Sequence, residues 1–478
     1  MLRMIAAAVV ALSAGQGLAQ SSSPYPFTGG YPSAEASTRA RDDADFQRAM
    51  VAYRFWYPTV SMEGIFQGNR NVGIEDGKAW GIAATGPRQV GLTLNSDTPY
   101  GSAALDLSDG PMVIELPPGA FIGLVNDHHQ GWVQDLGLPG PDAGKGGRHL
   151  VLPPGYAGAI PDGYHVGRST TMRNLLAVRA LPQDGDLQKA LDALRAVRIH
   201  ALGDESRMLE VVDTSDKQMD SSSLRWEDNI GFWEQLAAIV EAEPINPNVL
   251  PMYGLLAELG VAKGQPFAPD QRMRAILERA AREGRDQMLV SAFDSARADR
   301  VAWPDRKWEW VGLLPGSAQF EASYGLDLEA RDRWFAQAIV TSPAMFRRDA
   351  GAGSLYWLGV RDSAGAWLDG GKTYRLTVPM PVPDKLFWSV TLYDAQTRSQ
   401  VQTDQDKAAL RSLFELKDLG DEGAVDLFFG PEQPEGTENR WIKTSPGRGW
   451  FAYMRIYGPE AAAFDGSWKP GDFEEVEP

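Results

Sequence analysis

Hydrophobic residues change their spacing twice along this chain. Between about residues 76 and 184 they recur at every second position in short runs; from 185 to 353 they recur every three or four positions; from 354 onward the spacing of two returns. A spacing of two puts alternate side chains on opposite faces of a strand, whereas three and four put them on one face of a helix. The expected fold class is therefore multidomain α+β, with a β region, a helical module and a second β region in that order.

The runs of the first β region are 90–95, 102–107, 112–116, 121–126, 149–152, 164–167 and 175–180, punctuated by Pro-Pro-Gly at 117–119 and 153–155. Short strands with regular turn signals point to a sandwich or barrel. Four helical stripes follow: Leu187, Leu191, Leu194, Val197 and Ala201; Trp226, Ile230, Trp233, Ala237 and Val240; Met273, Leu277, Ala280 and Gly284; Trp334, Ala338, Thr341 and Met345. Such stripes pack onto a core. The clearest later strands are 373–378, 386–394, 424–429, 441–444 and 450–457. In the last, Trp450, Ala452, Met454 and Ile456 face one way, and Phe451, Tyr453, Arg455 and Tyr457 the other. Ahead of the first β region, residues 20–40 are rich in Ser, Gly and Pro and read as a mobile leader. Residues 43–57 read as a helix with Phe46, Met50, Tyr53 and Tyr57 on one stripe, and Pro58 is expected to end it.

Residues 1–19 have the pattern of a cleaved signal peptide: Arg3, a short apolar run, then Gly17 and Ala19 before a cut at Gln20. A periplasmic or secreted location is expected. The 478 residues carry a net charge of −17, and loss of Arg3 with the leader makes the mature chain −18. That balance argues against nucleic acid or an anionic membrane as partner. No later stretch is long and apolar enough for a membrane span. With no cysteine there are no disulfides and no thiolate metal ligands, so stability must come from the cores, with a homo-oligomer left open.

The sequence lacks a Gly-x-Ser-x-Gly elbow, a complete phosphate loop and His-Glu-x-x-His. No nucleotide cofactor is expected. Four polar segments remain. Asn95-Ser96-Asp97-Thr98-Pro99-Tyr100 lies between two strands; it closes a side-chain-capped turn or presents Asn95, Asp97, Thr98 and Tyr100 to a ligand. Asn126-Asp127-His128-His129-Gln130-Gly131-Trp132 offers Asp127 and His128 as acid, base or metal groups and Trp132 as an aromatic wall. A divalent metal is left open, because a site needs three or four ligands and the chain has five His. The glycine-rich segment 138–148 allows close backbone approach or is a surface loop. In the C-terminal part, Arg361, Asp394 and Arg398 form ion pairs within the fold or hold an anionic or carboxylate-bearing ligand, with Asp362, Trp388 and Tyr393 beside them as further candidates.

Phe387-Trp388-Ser389 through Tyr393-Asp394 and Thr397-Arg398, with Asp426-Leu427-Phe428-Phe429-Gly430-Pro431 and the run from Gly449-Trp450-Phe451 to Gly458-Pro459, resembles domain of unknown function 1214. Asn95 to Tyr100, Leu105-Asp106-Leu107, Gly110-Pro111, Leu138-Pro139-Gly140-Pro141-Asp142 and Gly144-Lys145-Gly146-Gly147 resemble domain of unknown function 1254. The resemblance covers most of residues 50–475 and implies an N-terminal immunoglobulin-like β-sandwich, a helical middle and a C-terminal jelly-roll-like β domain. It carries over no catalytic residue. The resulting domain boundaries are 1–19, 20–75, 76–184, 185–353 and 354–478.

Function is open at this level. One expectation is a hydrolase of the cell envelope acting on a small or oligomeric organic substrate, with Asp97, Asp127, His128 and Asp362 as candidate catalytic groups. The alternatives are a non-catalytic ligand-binding protein and a structural oligomer. A single pocket between the two β regions is expected, because neither polar segment alone has enough convergent groups. Asp97 and Asp127 would supply carboxylates to it, Arg361 and Arg398 the opposing charge, and Trp388 and Tyr393 an apolar wall.

Overall fold

The computed structural model describes residues 23–350, 353–420 and 423–477; the expected signal, residues 1–19, lies outside them. Among the described residues six α-helices accompany the sheets: α1 (Ala34–Asn71), α2 (Leu187–Arg195), α3 (Gly231–Ala242), α4 (Leu250–Glu258), α5 (Gln271–Phe293) and α6 (Leu328–Gln337).

Helix α1 is longer than the sequence pattern at both ends. It begins within the supposed leader because Ser33 caps it, the Oγ accepting from the N–H of Ala36 at 3.0 Å. Its first turns are polar, and their ion pairs, such as Arg272 with Asp42 and Asp45, leave no apolar stripe to read. Pro58 does not end the helix. A proline cannot donate to the carbonyl four residues back, here that of Arg54. The guanidinium of Arg331, from α6, takes over that role and donates to the carbonyls of Arg54 (3.2 Å) and Phe55 (2.7 Å). Beyond Pro58 the helix is buried on every side through Phe66, so no amphipathic period exists there. Gly64 and Gly68 let another stretch of backbone cross it: a Cβ would meet the backbone of Ser222 at 2.8 Å and of Asp220 at 2.6 Å.

The N-terminal β region has a six-stranded sheet in the order Glu210–Asp213, Ala79–Ala83, Tyr100–Asp106, Arg173–Ala180, Phe121–Asp127 and Trp132–Gly137. A four-stranded sheet of His165–Arg168, Gly147–Leu152, Met112–Leu116 and Arg198–Ala201 shares a core with it. Leu105, Val125 and Leu176 meet Ile114, Val151 and Ile199 there. The other face of the six-stranded sheet, through Ala104 and Leu175, packs on Met62, Ile65 and Phe66 of α1. Two of these strands, Arg198–Ala201 and Glu210–Asp213, come from the segment read as helical. They are four residues each, too short to display alternation against the α2 stripe beside them. Most of the expected run 90–95 is irregular; only Gln89–Val90 pairs as a strand.

The C-terminal β region pairs a five-stranded sheet (Glu309–Trp310, Ser354–Gly359, Trp450–Pro459, Asp384–Asp394, Ala409–Arg411) with a four-stranded one (Trp441–Lys443, Ala424–Gly430, Thr373–Pro379, Phe473–Val476). Trp357, Val390, Leu392 and Met454 bury against Leu376, Leu427 and Phe429. Burial of each such side chain contributes on the order of 1.5–3 kcal/mol. The alternation expected for 450–457 is realised: Trp450, Ala452, Met454 and Ile456 enter this core, while Phe451 and Tyr453 face the helices. That second face of the five-stranded sheet also meets the N-terminal region, and the candidate site lies there.

Candidate functional site

A cavity of about 200 Å³ lies where the two β regions, α1 and α6 meet. Its walls are mainly apolar, with Ile65 from α1, Leu124 and Leu175 from the N-terminal sheet, and Trp334 from α6. The polar lining includes Tyr100, Ser102 and Arg179 on the N-terminal side and Tyr356, Tyr453 and Arg455 on the C-terminal side. Strand alternation delivers these groups. Leu176 and Val178 point into the N-terminal core, so Ala177 and Arg179 point the other way, opposite Ser102 and Tyr100 in register. Arg455 likewise sits between Ser389 and Tyr356 on the neighbouring strands.

Arg455 is 2% exposed. Its Nη2 donates to the Tyr393 hydroxyl at 2.7 Å and to the carbonyl of Thr93 at 3.2 Å, while Nε and Nη1 have no partner among the described residues. The guanidinium carbon lies 5.0 Å from the ring centre of Tyr453, 5.5 Å from Tyr393 and 5.7 Å from Tyr356, close enough for attraction to the ring faces. Burial works against its charge, but the oxygens of Tyr393 and Tyr457 and the carboxylate of Asp97 outweigh it and hold the pKa above the usual arginine range. Arg179 donates to the Tyr457 hydroxyl at 3.1 Å and lies over the rings of Tyr457 and Tyr100. Burial pushes the phenols of Tyr100, Tyr393 and Tyr457 up, so all three are neutral at ordinary pH. The buried carboxylate of Asp97 accepts from the hydroxyls of Ser389 and Tyr457, both at 2.9 Å, and its other oxygen has no partner among the described residues.

The structure brings Asn95, Asp97, Tyr100 and Tyr393 together at this junction. Asn95 lines the cavity and fixes the turn, its Oδ1 accepting from the Asp97 N–H at 3.0 Å. Thr98 is buried beside them, its hydroxyl without a partner among the described residues. The other candidates lie elsewhere. Asp127 ties a hairpin turn, accepting from the N–H groups of His129 and Gly131 and from the Thr170 hydroxyl. His128 is buried between Glu63 (3.3 Å) and Glu243 (3.2 Å). Burial pushes the Glu63 carboxyl up, but His128, Arg173 and Arg70 outweigh it and hold it down at about 2. Trp132 is exposed and donates to Asp135. Arg361 pairs with Asp294 and stacks on Trp367, Asp362 closes a turn with the N–H of Ala366, and Trp388 fills the C-terminal core. Arg398, fully buried, pairs at 2.6 Å with Glu227, which also binds Tyr57 and Arg285. Among the described residues no group of three or more His, Asp or Glu is arranged to hold a metal ion.

Arg179 and Arg455 were not among the candidates picked from the sequence, although each leaves a signal there. Both interrupt an otherwise uncharged strand run, and Arg455 shares a face with Phe451, Tyr453 and Tyr457. A cation alternating with aromatics on a strand whose other face is wholly apolar has to be accommodated inside the protein.

Residues 82–201 match the family described as protein of unknown function DUF1254, and residues 353–461 match the one described as protein of unknown function DUF1214. The chain carries both domains. DUF1254 supplies Tyr100 and Arg179 to the cavity and DUF1214 supplies Tyr356 and Arg455, so the site lies between the two matched segments. The solved structure of the VPA0106 protein from Vibrio parahaemolyticus is similar over 91% of this chain and 100% of its own, at 15% identity and a TM-score of 0.54. That likeness concerns the fold alone. An uncharacterised protein from Burkholderia cenocepacia aligns over 93% of this chain and 97% of its own, at 14% identity and a TM-score of 0.39. No curated protein matches the sequence. Among the described residues no helix is long and apolar enough to cross a membrane.

Proposed function

We propose that the protein binds a small, mainly apolar organic molecule in the cavity between its DUF1254 and DUF1214 domains. The observation that carries this reading is the cavity itself: about 200 Å³, walled mostly by apolar side chains, with a few polar groups converging from both domains. An apolar cavity of about 150 Å³ takes up benzene, so this one suits a ligand somewhat larger than a phenyl ring. Binding is favoured over hydrolysis because Asp127, His128 and Asp362 do not line the cavity, while Asp97 is engaged by two hydroxyls. The pattern of residues 1–19 supports meeting the ligand in the periplasm or outside the cell. Two packed sheets in each β region support reading the first as immunoglobulin-like and the second as jelly-roll-like.

The test is calorimetric titration of the purified chain with two probes of matched size, phenylacetate and phenethyl alcohol. At least one should saturate at one per chain. Ala177→Phe, which projects a ring from the cavity wall, should abolish that binding while the circular dichroism spectrum stays unchanged. No binding of either probe to the wild type, or equal binding to the filled variant, would overturn the proposal.

A further inference from the structure

The cavity has an excess of positive charge that its own walls do not neutralise. Arg179 and Arg455 enter it from different domains. Among the described residues, their side-chain hydrogen bonds go to uncharged oxygens, those of Tyr457, Tyr393 and Thr93. Asp97 acts on Arg455 through space, and its hydrogen bonds go to Ser389 and Tyr457 rather than to either arginine. The described residues lining the cavity include these two guanidiniums and no carboxylate. Two of the three nitrogens of Arg455, itself 2% exposed, have no acceptor among the described residues. Buried cations are normally paired, because an unpaired one forfeits its hydration without return. The faces of Tyr356, Tyr393 and Tyr453 offset part of this, but an aromatic face is a weaker partner than an oxyanion.

We infer that the ligand is an organic acid: an apolar body against Ile65, Leu124, Leu175 and Trp334, and a carboxylate seated between Arg179 and Arg455. This rests on the reading of the cavity as a ligand site and adds the chemical class. A carboxylate fits the vacant donors because its negative charge strengthens each N–H···O bond and its two oxygens can accept from two guanidiniums at once. A cationic ligand would meet two like charges in a medium of low dielectric. A neutral alcohol would supply one acceptor and leave the excess charge in place. The hydroxyl of Tyr457 joins the two halves, accepting from Arg179 and donating to Asp97. The anionic head is therefore received by groups that the domain junction already holds in position.

The experiment compares three probes of nearly equal size on the full chain: phenylacetate, phenethyl alcohol and phenethylamine. Phenylacetate should bind roughly tenfold or more tighter than the alcohol, as expected for hydrogen bonds to a charged group, with the amine weakest. Arg455→Met and Arg179→Met should each erase most of that preference, bringing the affinity for the acid down to that for the alcohol in the same variant. Either substitution also removes hydrogen bonds to Tyr457, or to Tyr393 and Thr93, so folding of each variant is checked by circular dichroism before titration. Should Arg455→Met fail to fold, the wild-type series and Arg179→Met decide the question. If the wild type binds alcohol and acid equally, the organic-acid assignment fails and the cavity reading stands. If no probe binds, both fail. If the acid is preferred but both methionine variants retain the full preference, its carboxylate lies elsewhere and the assignment fails.

Discussion

Replacing Arg331 by Met tests whether one side chain allows a proline to sit inside a long buried helix. The substitution leaves the carbonyls of Arg54 and Phe55 without the donors that reach them at 3.2 and 2.7 Å. Each buried carbonyl left unpaired costs ~1–3 kcal/mol. Against this, the guanidinium is costly to hold inside: burial pushes its pKa down from 12.5 to about 10, which corresponds to on the order of 3 kcal/mol. Much of one effect offsets the other, and a net loss of about 1 kcal/mol is expected. The sharper quantity is the coupling with position 58. In the wild type, Pro58→Ala adds an N–H for a carbonyl that already has a donor and loosens the unfolded chain, so it should be neutral or slightly destabilising. In the Arg331→Met background, the same change restores the missing donor to Arg54 and should recover ~1 kcal/mol. Urea denaturation of the four proteins, followed by tryptophan fluorescence, measures the cycle. Additivity within ~0.5 kcal/mol would refute the idea that Arg331 substitutes for the proline's absent N–H.

Glu63 predicts an acid-sensitive window. Its folded-state pKa of about 2 lies below the ordinary 4.5, so its contribution is complete above pH 4.5 and is lost as pH falls from there towards 2. The loss should be on the order of 3 kcal/mol, and Glu63→Gln should flatten the stability profile across that window; an unchanged slope would count against the His128 and arginine contacts as its source. Glu227→Gln should be among the most damaging single changes, with ~3–5 kcal/mol lost, because Arg398 stays buried without its counter-charge. A shift of under ~1 kcal/mol in the denaturation midpoint energy would show that the pair is not needed.

Period and composition carried the α+β class, the C-terminal β region and the inward and outward faces of Trp450–Pro459. They failed where burial is total or elements are short. Residues 58–66 of α1 are enclosed on all sides, so no stripe marks them as helical. The strand Ala79–Ala83 is wholly buried, and five residues without alternation carry no periodic signal. The site was legible in half. Asn95-Ser96-Asp97 and Tyr393 stood out as dense polar segments; across the junction Tyr393 reaches the carbonyl of Thr93, just ahead of that segment, and Asp97 reaches Tyr457 on the strand beside Tyr393. Arg361 and Arg398 stood out equally, yet one pairs on the surface and the other in the core, because charge density along the sequence cannot reveal which carboxylate lies opposite. Arg179 and Arg455 are isolated among apolar neighbours on their strands, and their importance emerges only when two strands from different domains face one space.

The hydroxyls of Ser389 and Tyr457 answer the carboxylate of Asp97 across 292 and 360 residues of chain. A chimera that takes its first half from one relative and its second from another would inherit an acid from one parent and the acid's donors from the other. A loss on either side would strand a charge in the middle of the molecule. Exchange between relatives is therefore expected to succeed when the two domains move as a matched set, and each half constrains which substitutions the other can accept.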